Sequence, residues 1–207
     1  MKFRLTYSGP LRSSGNERNG TLSDHKHNLW LAFNPQLRRL WETVPFLKTG
    51  QPTWPTLSWA PPKPEPNLNR GDRGNKHKIE PWNFVPLVTE DMGFYCSVDI
   101  LLLRTEGQTA ISGRGDLDGR IKTLLDALSM PLVSQGYQSR QTEDAANPLY
   151  VLFENDRQIS KISVETDHML EPLDTSRPSE FKAADTRILI NVAIGPIEPS
   201  TWSLPFV

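Results

Sequence analysis

The segment Ser112-Gly-Arg-Gly-Asp116-Leu-Asp118-Gly-Arg120-Ile-Lys122 holds the residues best suited to chemistry. It sets two carboxylates at the mouth of a stretch in which Leu117, Ile121, Leu124, Leu125 and Leu128 recur at helical spacing, the stripe of an amphipathic helix. Asp118 and Lys122 are i, i+4 neighbours, so they are expected to share a solvent-facing edge while Leu117 and Ile121 turn to the core. A second acidic cluster, Glu154-Asn155-Asp156, follows the apolar run Val151-Leu152-Phe153. Hard oxygen donors converging from the two clusters would make a Mg²⁺ or Mn²⁺ site with open water positions. Such an ion activates water against a phosphodiester and neutralises charge growing on the phosphoryl oxygens, and the Lys122 ammonium would stabilise the transition state or the leaving oxygen. The bland alternative is that these carboxylates only cap a helix and that Lys122 only pairs with Asp118 or Asp126.

Elements must exist to position these groups. The Phe94 to Arg104 and Arg187 to Ile194 segments read as strands buried on at least one face and belonging to one sheet. Ile159 to Thr166 alternates as a half-exposed strand, and Met1 to Ser8 alternates as another. From His25 to Trp41 the apolar spacing is helical but meets Pro35, which predicts a break there. The prolines between Gln51 and Pro66 predict an extended strap, Arg70 to Lys78 a solvated basic loop, and Ser129 to Tyr150 an insertion loop. The expected architecture is therefore α+β, a mixed sheet packed against amphipathic helices. One domain spans 1–207: an N-terminal strand, helix and proline-rich connector over 1–80, a core over 81–196 and a tail over 197–207.

Composition narrows the function classes. The 207 residues, 23.5 kDa with mean hydropathy -0.48, contain no run near the ~18 apolar residues of a membrane span, so a cytoplasmic protein is expected. Cys96 is the single cysteine, which excludes an internal disulfide and a thiolate zinc cluster. Net charge is -1 with a sequence pI of about 6.4, so nucleic-acid binding would have to rest on local basic groups. Arg114, Arg120 and Arg157 near the acidic groups, with Lys76 and Lys78 in the basic loop, are the candidates. His25 and His27 lack an identifiable third ligand and read as solvated. Trp30 and Trp41 are expected in the core; Trp54, Trp59 and Trp82 either cover the sheet or stack on bases.

Asp116-Leu-Asp118 followed by Lys122, then Asp126-Ala-Leu128, then Asn155-Asp156-Arg157-Gln158 and an alternating strand, resembles the RusA-type Holliday junction resolvase family. The resemblance covers about Val98 to Ile194 and implies that Asp116, Asp118 and Asp156 ligate Mg²⁺, with Lys122 as the catalytic lysine. It further implies a homodimer that nicks branched DNA, four-way junctions above all, symmetrically. Gly119 stands where the family has Asn, Asn155 replaces the first Asp of the second cluster, and the 129–150 loop is longer. Glu154 and Asp126 are the candidates for a supporting ring around the ligands.

Two other readings compete. A non-catalytic DNA-binding or regulatory module would keep the fold with a decayed site. Asp116-Leu-Asp118-Gly119 also resembles the start of haloacid-dehalogenase-type phosphatases, but Arg120 stands where threonine is expected, Thr109 to Gly115 reads as a loop where that family needs a buried strand, and too little chain follows for that fold. A glycosyltransferase Asp-x-Asp site would need strand-helix alternation that the chain lacks.

Overall fold

The computed structural model describes residues 1–13, 21–49, 73–74, 76–79, 82–104, 117–131, 147–170 and 185–197. In chain order the elements are β1 (Lys2–Pro10), α1 (Thr21–Thr43), α2 (Pro45–Thr49), β2 (Lys78–Ile79), β3 (Trp82–Val88), β4 (Phe94–Arg104), α3 (Leu117–Leu128), β5 (Leu149–Phe153), β6 (Ile159–His168) and β7 (Asp185–Pro196). Single 3₁₀ turns at Glu90–Met92 and Asp156–Gln158 precede β4 and β6. The strands form two mixed sheets rather than the one expected. The larger has the order β1-β7-β4-β6, antiparallel except for the β4–β6 pair, and the smaller has the order β2-β3-β5 with β3 and β5 parallel. The class is thus mixed α+β.

Period-two alternation builds the larger sheet. Phe94, Cys96, Val98, Ile100 and Leu102 of β4 and Ile188, Ile190, Val192 and Ile194 of β7 turn to one face and are buried there. In β5 all five residues are buried, the pattern of a strand covered on both sides. Helix α1 braces both sheets. Its Gln36 amide exchanges hydrogen bonds with the Thr6 backbone of β1, Asn34 Oδ1 accepts from Tyr150 N–H of β5 at 2.9 Å, and Trp30 Nε1 donates to Ser129 O beyond α3 at 3.2 Å.

The expected strands over 94–104, 187–194 and 159–166 are all present, and Cys96 is buried with its thiol pushed up to about 12 by that burial. Pro35 does not break the helix: α1 runs unbroken through it. The lost hydrogen bond to Leu31 falls on the solvent side, where Pro35 and Leu31 are exposed, and burial of Leu29, Trp30, Phe33, Leu37 and Trp41 outweighs the cost of about 3 kcal/mol. The histidines are not solvated. His25 is buried, accepts the Arg12 N–H on Nε2 and is pushed down to about 4 by burial and then by the Arg12 charge. His27 packs between Trp30 and Trp82. Trp82 is 3% exposed and belongs to the core, so it is not available to stack on bases. The proline strap with Trp54 and Trp59, most of the 129–150 loop and the tail beyond 197 lie outside the described residues.

His25 gives the fold an acid sensitivity. As pH falls below about 6.5 the unfolded chain takes up a proton at this ring that the folded chain resists until about pH 4, so stability held above 6.5 is lost across that window. Denaturant titrations are expected to lose about 2 kcal/mol between pH 7 and pH 4 through this group, and His25→Gln, which keeps an acceptor for Arg12, to remove most of that loss. An unchanged pH slope in the variant would contradict the assignment.

Candidate functional site

The first half of the site is carried by α3. Its buried face is Arg120, Thr123, Leu124, Ala127 and Leu128, the i, i+3, i+4, i+7, i+8 stripe counted from Arg120. The stripe is therefore rotated from the one expected: Leu117 is 38% exposed and Ile121 only flanks the core. Two consequences follow. Asp118 and Lys122 stand exposed on the outer edge of the helix, as their spacing predicted, whereas Arg120, expected on a DNA-facing surface, is 5% exposed and lies in the packed face. Asp126 is spent elsewhere, 2.7 Å from Lys26 of α1, which pins the two helices together.

The second half is the turn after β5. Asn155 caps the 3₁₀ turn: its side chain accepts the Arg157 N–H at 2.9 Å while Gln158 Oε1 accepts the Asn155 N–H at 3.2 Å. This gives Asn155 a structural task as the cap of the turn. Asp156 and Arg157 project from the turn, exposed. Glu154 faces inward. Its N–H donates to Val88 O at 2.9 Å, its Oε2 accepts the Glu90 N–H at 2.9 Å, and its Oε1 lies 3.5 Å from His77 Nε2. The carboxylate thereby ties the end of β5 to the end of β3 and to the turn that leads into β4.

Beneath Glu154 lies a polar group that no local pattern announces. The supposedly solvated basic loop makes a helical turn closed by His77 N–H to Arg73 O, and both Arg73 and His77 are buried. Arg73 Nη1 donates to Pro86 O at 3.1 Å and its guanidinium sits 5.7 Å over the Trp41 ring. Burial presses Arg73 toward its neutral form, opposed by the Asp91 and Glu154 carboxylates. His77 Nδ1 is 2.9 Å from Arg73 O, which can only accept, so Nδ1 carries the proton and Nε2 faces Glu154. Asp91 is held below its ordinary value: burial raises it, but hydrogen bonds from Thr89 and Lys76 and the Lys76 and Arg73 charges outweigh that. Of the basic residues assigned to DNA in this loop, Lys76 is exposed but pairs with Asp91 at 3.0 Å, and Lys78 is exposed.

The two halves meet at one point. Ser129, just after α3, forms a parallel bridge with Phe153, and Met130 N–H donates to Phe153 O at 3.1 Å. The C-terminal end of α3 is thus bonded to the strand that delivers Asp156, while Lys122 and Asp118 lie about 10 and 16 Å back along the helix axis from Ser129. Asp116 and Arg114 lie outside the described residues, and among the described residues no three His, Cys, Asp or Glu side chains are grouped so as to hold a metal ion. Comparison of the chain with models of protein families, with curated proteins and with solved structures finds no match.

Glu154 is expected to act as a structural clamp. Glu154→Ala should cost about 1–3 kcal/mol in a denaturant titration, since it leaves the Glu90 N–H without its acceptor and removes one of the two carboxylates that offset the Arg73 charge, while Glu154→Gln keeps the acceptor and should cost less than half as much. Equal losses for the two variants, or none for either, would show that the carboxylate does not hold the turn.

Proposed function

We propose that this chain is a Mg²⁺-dependent endonuclease that hydrolyses phosphodiesters of branched DNA, four-way junctions in particular, as a homodimer. The observation that carries the reading is that Asp118, Lys122 and Asp156 are all exposed, in the chain order of the RusA-type pattern, the first two on α3 and the third on the turn after β5, the strand to which the C-terminal end of α3 is hydrogen-bonded. Among the described residues neither Asp118 nor Asp156 is spent on an ion pair, in contrast to Asp126, Asp91 and Asp99, which are held by Lys26, Lys76 and Lys161. Open carboxylate oxygens suit a hard divalent cation.

Asp118 and Asp156, with Asp116, would hold the ion. A bound Mg²⁺ supplies water activation and charge neutralisation at the phosphoryl group. Lys122, which has no ion-pair partner among the described residues, places its ammonium to stabilise charge on the leaving oxygen. Arg157 beside Asp156 holds a neighbouring phosphate by a charge-assisted hydrogen bond. Arg120 has no place in this surface, so the DNA contact rests on Arg157, Lys122 and Lys78, with Lys76 joining only at the cost of its Asp91 pair.

The test is incubation of the full chain with a labelled four-way junction and a matched linear duplex, with and without Mg²⁺. Paired nicks confined to the junction and dependent on the metal are expected. Asp118→Asn and Asp156→Asn should each lower the cleavage rate by about a hundredfold or more while sparing junction binding, and Lys122→Ala should lower the rate by a similar factor. Junction binding with no cleavage by the unaltered chain would instead support the DNA-binding module, in line with Gly119 and with Asn155 serving as a cap. Hydrolysis of a small phosphomonoester with a phosphorylated Asp116 would support the phosphatase reading.

A further inference from the structure

The two edges of the larger sheet differ in how they are finished. β1 ends in Gly9-Pro10 and carries Lys2 and Arg4 among its exposed residues, features that discourage further strand pairing. β6 is ten residues long, contains neither Gly nor Pro, and pairs only with β4 among the described residues, with Ile162 45% exposed. A long, unblunted edge with an exposed apolar residue is a template for another strand.

The sequence of β6 states which strand fits. Residues that face one another across an antiparallel pair have side chains on the same face of the sheet, so a two-fold axis must pass through a residue and its own copy. With the axis through Ser163, Lys161 faces Glu165 of the second copy and Glu165 faces its Lys161, while Ile162 faces Val164 and Ser160 faces Thr166. Opposite charges meet twice and the exposed Ile162 gains an apolar neighbour on each side of the axis. An axis through Ile162 leaves Lys161 opposite Ser163; one through Val164 sets Lys161 against Asp167 but puts Ile162 against Thr166 and Ser163 against Glu165, so only the axis through Ser163 gives both the charge pairs and an apolar partner for Ile162. Lys161 already touches Asp99 at 3.3 Å, but both side chains are about half exposed or more, and an ammonium can serve two carboxylates. We propose that β6 is a homodimer interface in which two copies of this chain pair antiparallel about Ser163, joining their four-stranded sheets into one. The pairing is argued from the edge strand and names the interface of the homodimer in the proposed function, on which it rests only for that state; metal-dependent junction cleavage tests the nuclease reading separately.

Lys161 and Glu165 lie about 13 Å apart along one strand, too far to couple within a chain, so charge exchange isolates the contact between copies. Sedimentation equilibrium at micromolar chain concentration is expected to find a dimer. Lys161→Glu and Glu165→Lys should each raise the dissociation constant about tenfold or more, and the double variant should return it to within about threefold of the original. Ser163→Cys fixes the register. Paired Cα atoms about 5 Å apart suit a disulfide, and native Cys96 is buried, so mild oxidation should yield a covalent dimer. Lys161→Cys, with its copy about 13 Å away, should not cross-link. A monomeric unaltered chain, a double variant no better than the singles, or cross-linking at 161 rather than 163 would each overturn the proposal.

Discussion

The structure depends on a knot of hydrogen bonds at the end of β5. Within two residues, Phe153 O accepts from Met130 beyond α3, Glu154 N–H donates to Val88 at the end of β3, and the Glu154 carboxylate accepts from Glu90 at the start of the next turn. Phe153 and Val88 are fully buried, so polar backbone groups left unmatched there would each carry a desolvation penalty of about 1–3 kcal/mol. This constraint fixes the C-terminal end of α3 relative to β5 and the turn of Asp156, and the helix runs back from there through Lys122 to Asp118 at its other end. The buried Arg73 and His77 beneath it set positive charge and ring edge against Glu154. Helix α1 completes the arrangement from the other side through Trp30, Asn34 and Lys26.

Division of labour among the acidic groups follows from this. Carboxylates drawn into the framework are spoken for: Glu154 on backbone and His77, Asp126 on Lys26, Asp91 on Thr89 and Lys76. Asp118 and Asp156 are exposed and have no ion-pair partner among the described residues. Glu154 and Asp126, expected as helpers around a metal, are held by these partners and brace the scaffold.

Strands and the second long helix were legible because alternation and helical spacing are local signals written by a single buried face. The bounds expected for Phe94–Arg104 agree with β4, and the helix at 117–128 was read from its leucines. What the pattern missed is tertiary. Counting leucines rotated the face of α3, because Arg120 and Thr123 occupy core-facing positions that only burial reveals. Pro35 sat on an exposed flank where a missing N–H costs least, so a strong breaker did not break. The Arg70 to Lys78 segment looked solvated by composition, yet Trp41 and the Pro86 carbonyl capture Arg73, a long-range contact no local window contains. The division into two sheets was equally invisible, since β5 pairs with β3 across a long stretch of chain.

The central claim is that the Asp118 edge of α3 and the Asp156 turn share one divalent cation. Substoichiometric Mn²⁺ added to isotope-labelled chain, read as paramagnetic broadening of amide signals, tests this most directly. The account predicts that the signals of residues 117–119 and of 155–157 broaden together, in constant proportion, at the lowest metal additions. Broadening confined to one of the two segments, or appearing at the two with separate affinities, would contradict it.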